Sequence, residues 1–342
     1  VLATAPAQLC ALTVATVVVS LLNLAVPTLF PVLSLIIVLM VGGFLLSVRS
    51  LLLLYFVVAA ALVFVSGRRT EPPSLGTWVM LSVAAVLLLG FARSREKLGV
   101  QGIVGEAMLI DLRDRLRFQG RIPALPTPWQ AEATLRAAYG DSFSGDFLVS
   151  SLSRDNRTLR LALVDVSGKG QAAGTRALLL SGAFGGLIGA LPAEGFLAAA
   201  NAYLLRQRWD EGFATAVHFV LDMPSGRYLL AVAGHPPAAH YHAGSGSWEL
   251  LREQSGPALG IIDDVSFPAH EGVVMPGDAI LLYTDGLVET PGADVDLGID
   301  RLIGQAERLV RRGFSPGGAD WVVDATTADQ GDDRALVLIW RS

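Results

Sequence analysis

Before Arg49 the chain carries no charged residue, and up to Ala92 it carries only four: Arg49, Arg68, Arg69 and Glu71. Four apolar segments fill this stretch, roughly Leu9–Val26, Pro31–Val48, Leu51–Ser66 and Leu75–Ala92. A helix needs about 20 apolar residues to cross the hydrocarbon of a bilayer, and about 17 is the usual lower limit. The third segment sits at or below that limit, so residues 1–92 are expected to form about four transmembrane helices, with three as the alternative. Repeated segments exclude a single secretory signal peptide. Arg93, Arg95 and Lys97 directly follow the last segment, which places its end, and what comes after it, on the cytoplasmic side of a cell membrane. The Arg68-Arg69 pair opposes that orientation but is outnumbered. The spans hold no Asp, Glu, Lys or His, so they show no ion or proton path.

The other 250 residues hold the remaining 23 basic and 30 acidic side chains, a net charge of about −7. An acidic domain of this kind argues against nucleic acid as its partner, because phosphate backbones are bound by clustered Lys and Arg. The single cysteine, Cys10, excludes a disulfide framework and any Cys-based zinc site. Residues 93–124 read as a linker. Within it Met108, Leu109, Leu112 and Leu116 recur at helical spacing among charged residues, and the proline-rich Arg121–Pro128 run ends the helix. This helix is a spacer, a signalling element or a contact for a homodimer. From residue 125 strand and helix signals alternate. Thr158–Val166 and Ala279–Tyr283 read as strands, Thr215–Leu221 and Arg227–Ala233 as a hairpin, and Gln171–Leu191 and Pro192–Arg208 as helices. The apolar face Ile299, Leu302, Ile303, Ala306 and Leu309 marks a further helix ending at Gly313, and Ala335–Trp340 a last strand. Layered sheets with helices outside are the expected α+β architecture.

Aspartates stand where these apolar strands stop: Ser144-Gly145-Asp146, Val164-Asp165-Val166-Ser167-Gly168, Tyr283-Thr284-Asp285-Gly286 and Gly331-Asp332-Asp333. One aspartate before a glycine is usually a turn residue. Four at strand ends make a set of hard oxygen donors of the kind that Mg²⁺ and Mn²⁺ take. Gly168-Lys169-Gly170 is not a phosphate-binding P-loop, since Leu163 occupies the place of its first glycine and Gly170 that of its Ser or Thr. Among five histidines, His240 and His242 share one strand face and are expected to be exposed and inert, whereas His235 lies in a tight loop at a strand end. For His235 a functional and a structural role are both open.

These residues resemble the PPM-type (protein phosphatase 2C-like) serine/threonine phosphatases of the bacterial SpoIIE/RsbU branch. The matching stretches are Ser144–Phe147, Asp165–Gly170, Phe213–Thr215, Ala233–Pro237, Pro257–Gly260, Pro276–Asp278, Tyr283–Glu289 and Asp332-Asp333, in family order across residues 125–342. The resemblance implies an α-β-β-α sandwich holding two Mn²⁺ or Mg²⁺ ions and hydrolysis by a water activated between them. By the family pattern Asp165 bridges both ions, Asp285 and Asp332 join it on the first, and Asp146 with the carbonyl of Val166 serves the second. Asp333 is the neighbouring alternative to Asp332. Asp146, Asp165, Asp285 and Asp332 would then carry catalysis. Ser144 replaces a family glycine, and Ala335 stands where the family usually has Thr.

The resulting expectation is a multi-pass membrane protein with a cytoplasmic, metal-dependent protein phosphatase domain. Its implied substrate is phosphoserine or phosphothreonine on a cytosolic protein, by resemblance a STAS-type anti-sigma-factor antagonist. The alternatives are a non-catalytic signalling module built on a degenerate phosphatase domain, and a hydrolase of small phosphate esters.

Overall fold

The structure, a computed structural model, describes residues 5–69, 73–97, 120–138, 144–168, 170–209, 212–252, 255–290, 292–326 and 331–342. The linker helix expected around Met108–Leu116 lies outside these residues. The chain divides into two compact units, Val1–Asp111 and Leu112–Ser342.

The first unit contains helices α1 (Ala5–Ala25), α2 (Leu35–Leu45), α3 (Val48–Arg68) and α4 (Leu75–Lys97). Three stretches, Pro6–Ala25, Val48–Arg68 and Leu75–Ser94, are long and apolar enough to cross a membrane. The short segment is the second, not the third. Pro31 opens a single 3₁₀ turn at Val32–Ser34, and Ser47 ends the segment by accepting the Ser50 N–H as the N-cap of α3. The same cap starts α3 before Arg49, so the third segment gains a turn over its uncharged stretch. Leu51, Leu54 and Val58 of α3 pack with Leu35, Val38 and Leu39, while Phe56, Val63 and Val86 point outward. Thr16 and Ser20 return their hydroxyl protons to carbonyls four residues back, at 2.8 and 2.7 Å, so neither is left unpaired among apolar neighbours.

The second unit contains strands β1 (Trp129–Arg136), β2 (Phe147–Leu152) and β3 (Thr158–Val166), then helices α5 (Gly170–Ile188) and α6 (Ala193–Gln207). Strands β4 (Ala214–Asp222), β5 (Arg227–Ala233), β6 (Ala238–His242), β7 (Ser247–Leu251), β8 (Ser255–Gly256), β9 (Ala269–Val273) and β10 (Ala279–Tyr283) follow. Helices α7 (Val295–Arg312) and α8 (Gly318–Ala325) and strand β11 (Arg334–Arg341) complete it. One sheet runs β1-β11-β10-β6-β7 and the other β2-β3-β4-β5-β8, with β9 also on β5.

Strand periodicity sorts the side chains into layers. On β3, Leu159, Leu161 and Leu163 enter the core between the sheets, where they meet Ile280 and Leu282 of β10. Ala162, Val164 and Val166 face the other way, against Ala177, Leu180 and Phe184 of α5. Across the second sheet, Leu281 and Tyr283 pack on Ile299, Leu302 and Leu309 of α7. That helix is capped by the Asp294 carboxylate on the Asp296 N–H and stopped by Gly313 at φ 81°. The order of layers is therefore helix, sheet, sheet, helix.

Phe184 is fully buried, 5.9 Å from the Phe147 ring and 5.7 Å from the Phe196 ring. Phe184→Ala is expected to lower the unfolding free energy by about 3–5 kcal/mol. Leu179→Ala, on the exposed side of the same helix, should cost less than about 1 kcal/mol. Urea titration followed by tryptophan fluorescence distinguishes the two.

Candidate functional site

The parity that fills the core also aims the aspartates. Asp165 continues the inward series Leu159, Leu161, Leu163 by one step, just where β3 runs out. Asp146 stands one residue before β2 with the parity of inward-facing Leu148, and Thr284 follows β10 with the parity of Ile280 and Leu282. All three open onto the gap between the sheets at one end of the sandwich. Asp285 begins a single 3₁₀ turn, Asp285–Leu287. The Asp332-Asp333 turn leads into β11, the neighbour of β10.

Each carboxylate feels the others. Burial, and then Asp285, Asp332 and Asp333, push the Asp165 carboxyl up to about 7, while a hydrogen bond with Asp146 works the opposite way. Burial, Glu289 and Asp332 raise Asp285 to about 6. Asp146 is held well above the usual carboxylate range by burial and by Asp165, against a hydrogen bond from Thr284. Thus the five aspartates named in the sequence come together, and the charges acting most strongly on Asp165 are negative. Such a site is short of positive charge, and its donors are hard oxygens.

The two adjacent aspartates at β11 do different things. Asp333 accepts the Ala138 N–H on Oδ1, 2.7 Å, and the Gly145 N–H on Oδ2, 2.5 Å, so it ties the end of β1 to the approach of β2. Asp332 accepts the Asp333 N–H at 3.0 Å through Oδ1. Gly286 is pressed against this turn: a Cβ there would lie 1.9 Å from the Asp333 carbonyl oxygen. A Cβ on Gly145 would sit 3.1 Å from the Val166 carbonyl oxygen, which brings that carbonyl beside the backbone leading into Asp146.

Several positioning residues were not recognised from the sequence. The Thr284 hydroxyl donates to Asp146 Oδ2 at 2.7 Å and accepts the Ala335 N–H at 2.9 Å, which fixes the Asp146 carboxylate from the opposite sheet. Its signal was present, since Thr284 keeps the inward parity of β10. Thr215 is the direct cross-strand partner of Asp165, and its Oγ1 lies 2.8 Å from His235 Nδ1. Burial pushes the His235 imidazole down to about 3, so the ring is neutral near neutral pH, and its bond to Thr215 ties the loop after β5 to β4. Ser167 bonds Phe213 twice, through its backbone N–H and through its Oγ, both at 3.0 Å, and so anchors the turn after β3. Gly168 completes that turn at φ 107°, which a side chain would strain. Lys169 lies outside the described residues. His240, expected to be exposed, is buried, because the inward parity of Ala238 on β6 carries it into the gap between the sheets.

Comparison with known proteins accords with this geometry. Residues 155–342, more than half of the chain, match the family model described as stage II sporulation protein E (SpoIIE). That stretch includes Asp165, Asp285, Asp332 and Asp333 and begins after Asp146. The fold is similar to that of the RsbU and RsbW domains of Rv1364c from Mycobacterium tuberculosis, with a TM-score of 0.57 and 26% identity, over 66% of this chain and 63% of that one. It is also similar to the PP2C phosphatase domain with a regulatory fragment of SpoIIE from Bacillus subtilis, with a TM-score of 0.52 and 17% identity, over 63% of this chain and 64% of that one. Phosphoserine phosphatase RsbP of Bacillus subtilis is 32% identical over 77 residues, which is 22% of this chain and 19% of RsbP. This chain thus spans about a fifth of that curated relative. A PP2C-like sandwich, the SpoIIE family model and the joined motifs agree: the chain belongs to the SpoIIE family of PP2C-type serine/threonine phosphatases.

Proposed function

We propose that this protein is a membrane-anchored, metal-dependent phosphatase that hydrolyses phosphoserine or phosphothreonine on a cytosolic protein. The observation that carries the proposal is the convergence of Asp146, Asp165 and Asp285 with Asp332 and Asp333, close enough that burial and neighbouring carboxylates raise the proton affinity of the first three. Asp165, Asp285 and Asp332 would hold one Mg²⁺ or Mn²⁺ ion. Asp165, Asp146 and the Val166 carbonyl would hold a second. Asp332 is taken as the ligand by the family pattern, with Asp333, whose two oxygens take the Ala138 and Gly145 N–H groups, as the brace beside it. Bound divalent ions would supply Lewis acidity, lowering the pKa of water and offsetting charge on the phosphoryl group. The protein's own contribution is orientation: Thr284 holds Asp146, Thr215 stands beside Asp165, and the Ser167–Phe213 pair fixes the turn between them.

The substrate class rests on family membership and on the name of RsbP, a phosphoserine phosphatase. A place in sigma-factor regulation, with a phosphorylated STAS-type antagonist as the partner, is what the resemblance to the SpoIIE/RsbU branch implies. Anchoring rests on the three long apolar helices, and by the basic residues after the last of them the phosphatase domain, 125–342, would face the cytoplasm. Residues 93–124 would connect it to the membrane region, 1–92, and offer a contact for a homodimer.

Full-length protein in detergent should release phosphate from a phosphoserine protein with Mn²⁺ or Mg²⁺ and not with EDTA. Asp165→Ala and Asp285→Ala should each lower that rate by about a hundredfold or more. Undiminished metal-dependent release in both variants would overturn the assignment. Thr284→Val should weaken metal binding by about ten- to hundredfold, and Thr284→Ser should restore it, as read by Mn²⁺ titration. The raised carboxyls also set a pH signature. Their folded pKa values, about 7 for Asp165 and about 6 for Asp285, exceed the unfolded value of 3.8, so the neutral forms favour the folded state. Their contribution is complete below pH 3.8 and is lost as pH rises through 6 to 7. Metal-free protein should therefore melt at a lower temperature at pH 7.5 than at pH 5.5, and Mn²⁺ should reverse that difference. Metal-free melting temperatures that rise over the same interval would contradict it.

A further inference from the structure

The opposite end of the same sandwich carries a second constellation. On β6, His240 and His242 follow Ala238 on the inward face, and Asp278 precedes β10 with the inward parity of Ile280. The register of β6 on β10, His240 opposite Ile280 and Tyr241 opposite Ala279, brings His242 toward Asp278. One ligand atom from each of His240, His242 and Asp278 lies within 4.8 Å of the other two. Between Asp278 and Asp285 runs the whole of β10, a separation on the order of 20 Å, so this cluster is separate from the aspartate site.

Three observations point to a ligand. The His240 Nε2 is buried and has no hydrogen-bond partner; its 3.3 Å approach to Asp278 Oδ2 lacks hydrogen-bond geometry. Its Nδ1 is engaged by the Tyr228 hydroxyl at 3.3 Å, which leaves Nε2 facing the carboxylate. The Asp278 carboxylate is itself fixed by two backbone donors, Ala243 N–H at 2.8 Å on Oδ1 and Met275 N–H at 2.9 Å on Oδ2. His242 is oriented in the same way: its Nε2 sits 2.7 Å from Glu249 Oε2, and its ring lies against that of His240, centroids 3.9 Å apart. An imidazole held through one nitrogen by an oxygen partner, with the other nitrogen available, is the arrangement that orients histidine for a metal. Half-exposed His242, with 37% of its side chain accessible, gives a route in from solvent.

We propose that His240, His242 and Asp278 form a binding site for a divalent cation of the zinc type, built into the fold at the end remote from the aspartates. Two imidazoles and one carboxylate suit Zn²⁺, which takes nitrogen and oxygen in tetrahedral sites and would complete its shell with water. Mg²⁺ avoids such a set in favour of oxygen donors. The two ends of one sandwich thus select different ions. An ion here joins β6 to the turn that starts β10 and acts as a clamp on the fold.

The test uses the full-length Asp165→Asn protein in detergent, stripped of metal, with excess Mg²⁺ present to suppress zinc at the aspartate end. Calorimetric titration with Zn²⁺ should show one bound equivalent, and Co²⁺ should give the intense visible absorption of a four-coordinate site. Adding His242→Gln should lower Zn²⁺ affinity by at least about tenfold and abolish the cobalt band. His242 is chosen because it is half-exposed, and circular dichroism of the variant checks its fold. Asp278→Asn, read the same way, should also remove the band. Equal zinc affinity with and without His242, or no zinc-binding equivalent in the parent, would overturn the proposal. Neither readout depends on phosphate release, so the outcome is independent of the enzymatic assignment.

Discussion

Mutual repulsion among the aspartates is the constraint that the surrounding structure has to contain. Asp146, Asp165 and Asp285 raise one another's proton affinity or share neighbours that do so. A chain free to relax would move them apart. Here each is set on a different piece of scaffold that is rigid for its own reasons: the entry to β2, the end of β3, and the turn after β10. The apolar core between the sheets supplies that rigidity, because the same two-residue period that buries Leu161 and Leu163 delivers Asp165. Binding of cations at such a site releases stored repulsion.

Much of this was legible in the residues. Thr158–Val166 and Ala279–Tyr283 are strands with the ends read from their apolar runs, because both are interior strands, the first stopped near Gly168 and the second set between turns at Gly277 and Gly286. The apolar stripe Ile299–Leu309 belongs to a helix with a glycine stop, as its periodicity predicts. Other elements had no local signal. Strand β1 mixes Gln130, Glu132 and Ala residues and is a strand because it pairs along its whole length with β11, some two hundred residues later in the chain. Strand β9, Ala-His-Glu-Gly-Val, is equally undistinguished and is held by β5. The second membrane segment was misjudged because length was counted from charge alone. The caps at Pro31 and Ser47, not the charges, set where its helix runs.

The site divides in the same way. Aspartates beside glycines are visible as motifs, whereas Thr284 and Thr215 act across strands and acquire their meaning only from register. His240 illustrates the limit from the other side. A histidine on a short, polar-looking strand reads as exposed, yet the closing of two sheets over it leaves it 2% accessible. Burial of a polar side chain is a property of the whole sandwich, and no window of neighbouring residues contains it.

Gly286 brings no side chain to the centre, yet its Cα hydrogen occupies space that no methyl group can share with the Asp333 carbonyl oxygen. The turns bearing Asp285 and Asp332 are thus in backbone contact, and their spacing is set by the absence of an atom. Any side chain at this position would wedge two arms of the centre apart together while leaving every carboxylate in the sequence. In a collection of inactive variants, position 286 would be recovered beside the aspartates themselves, and a tally of acidic residues would pass it over.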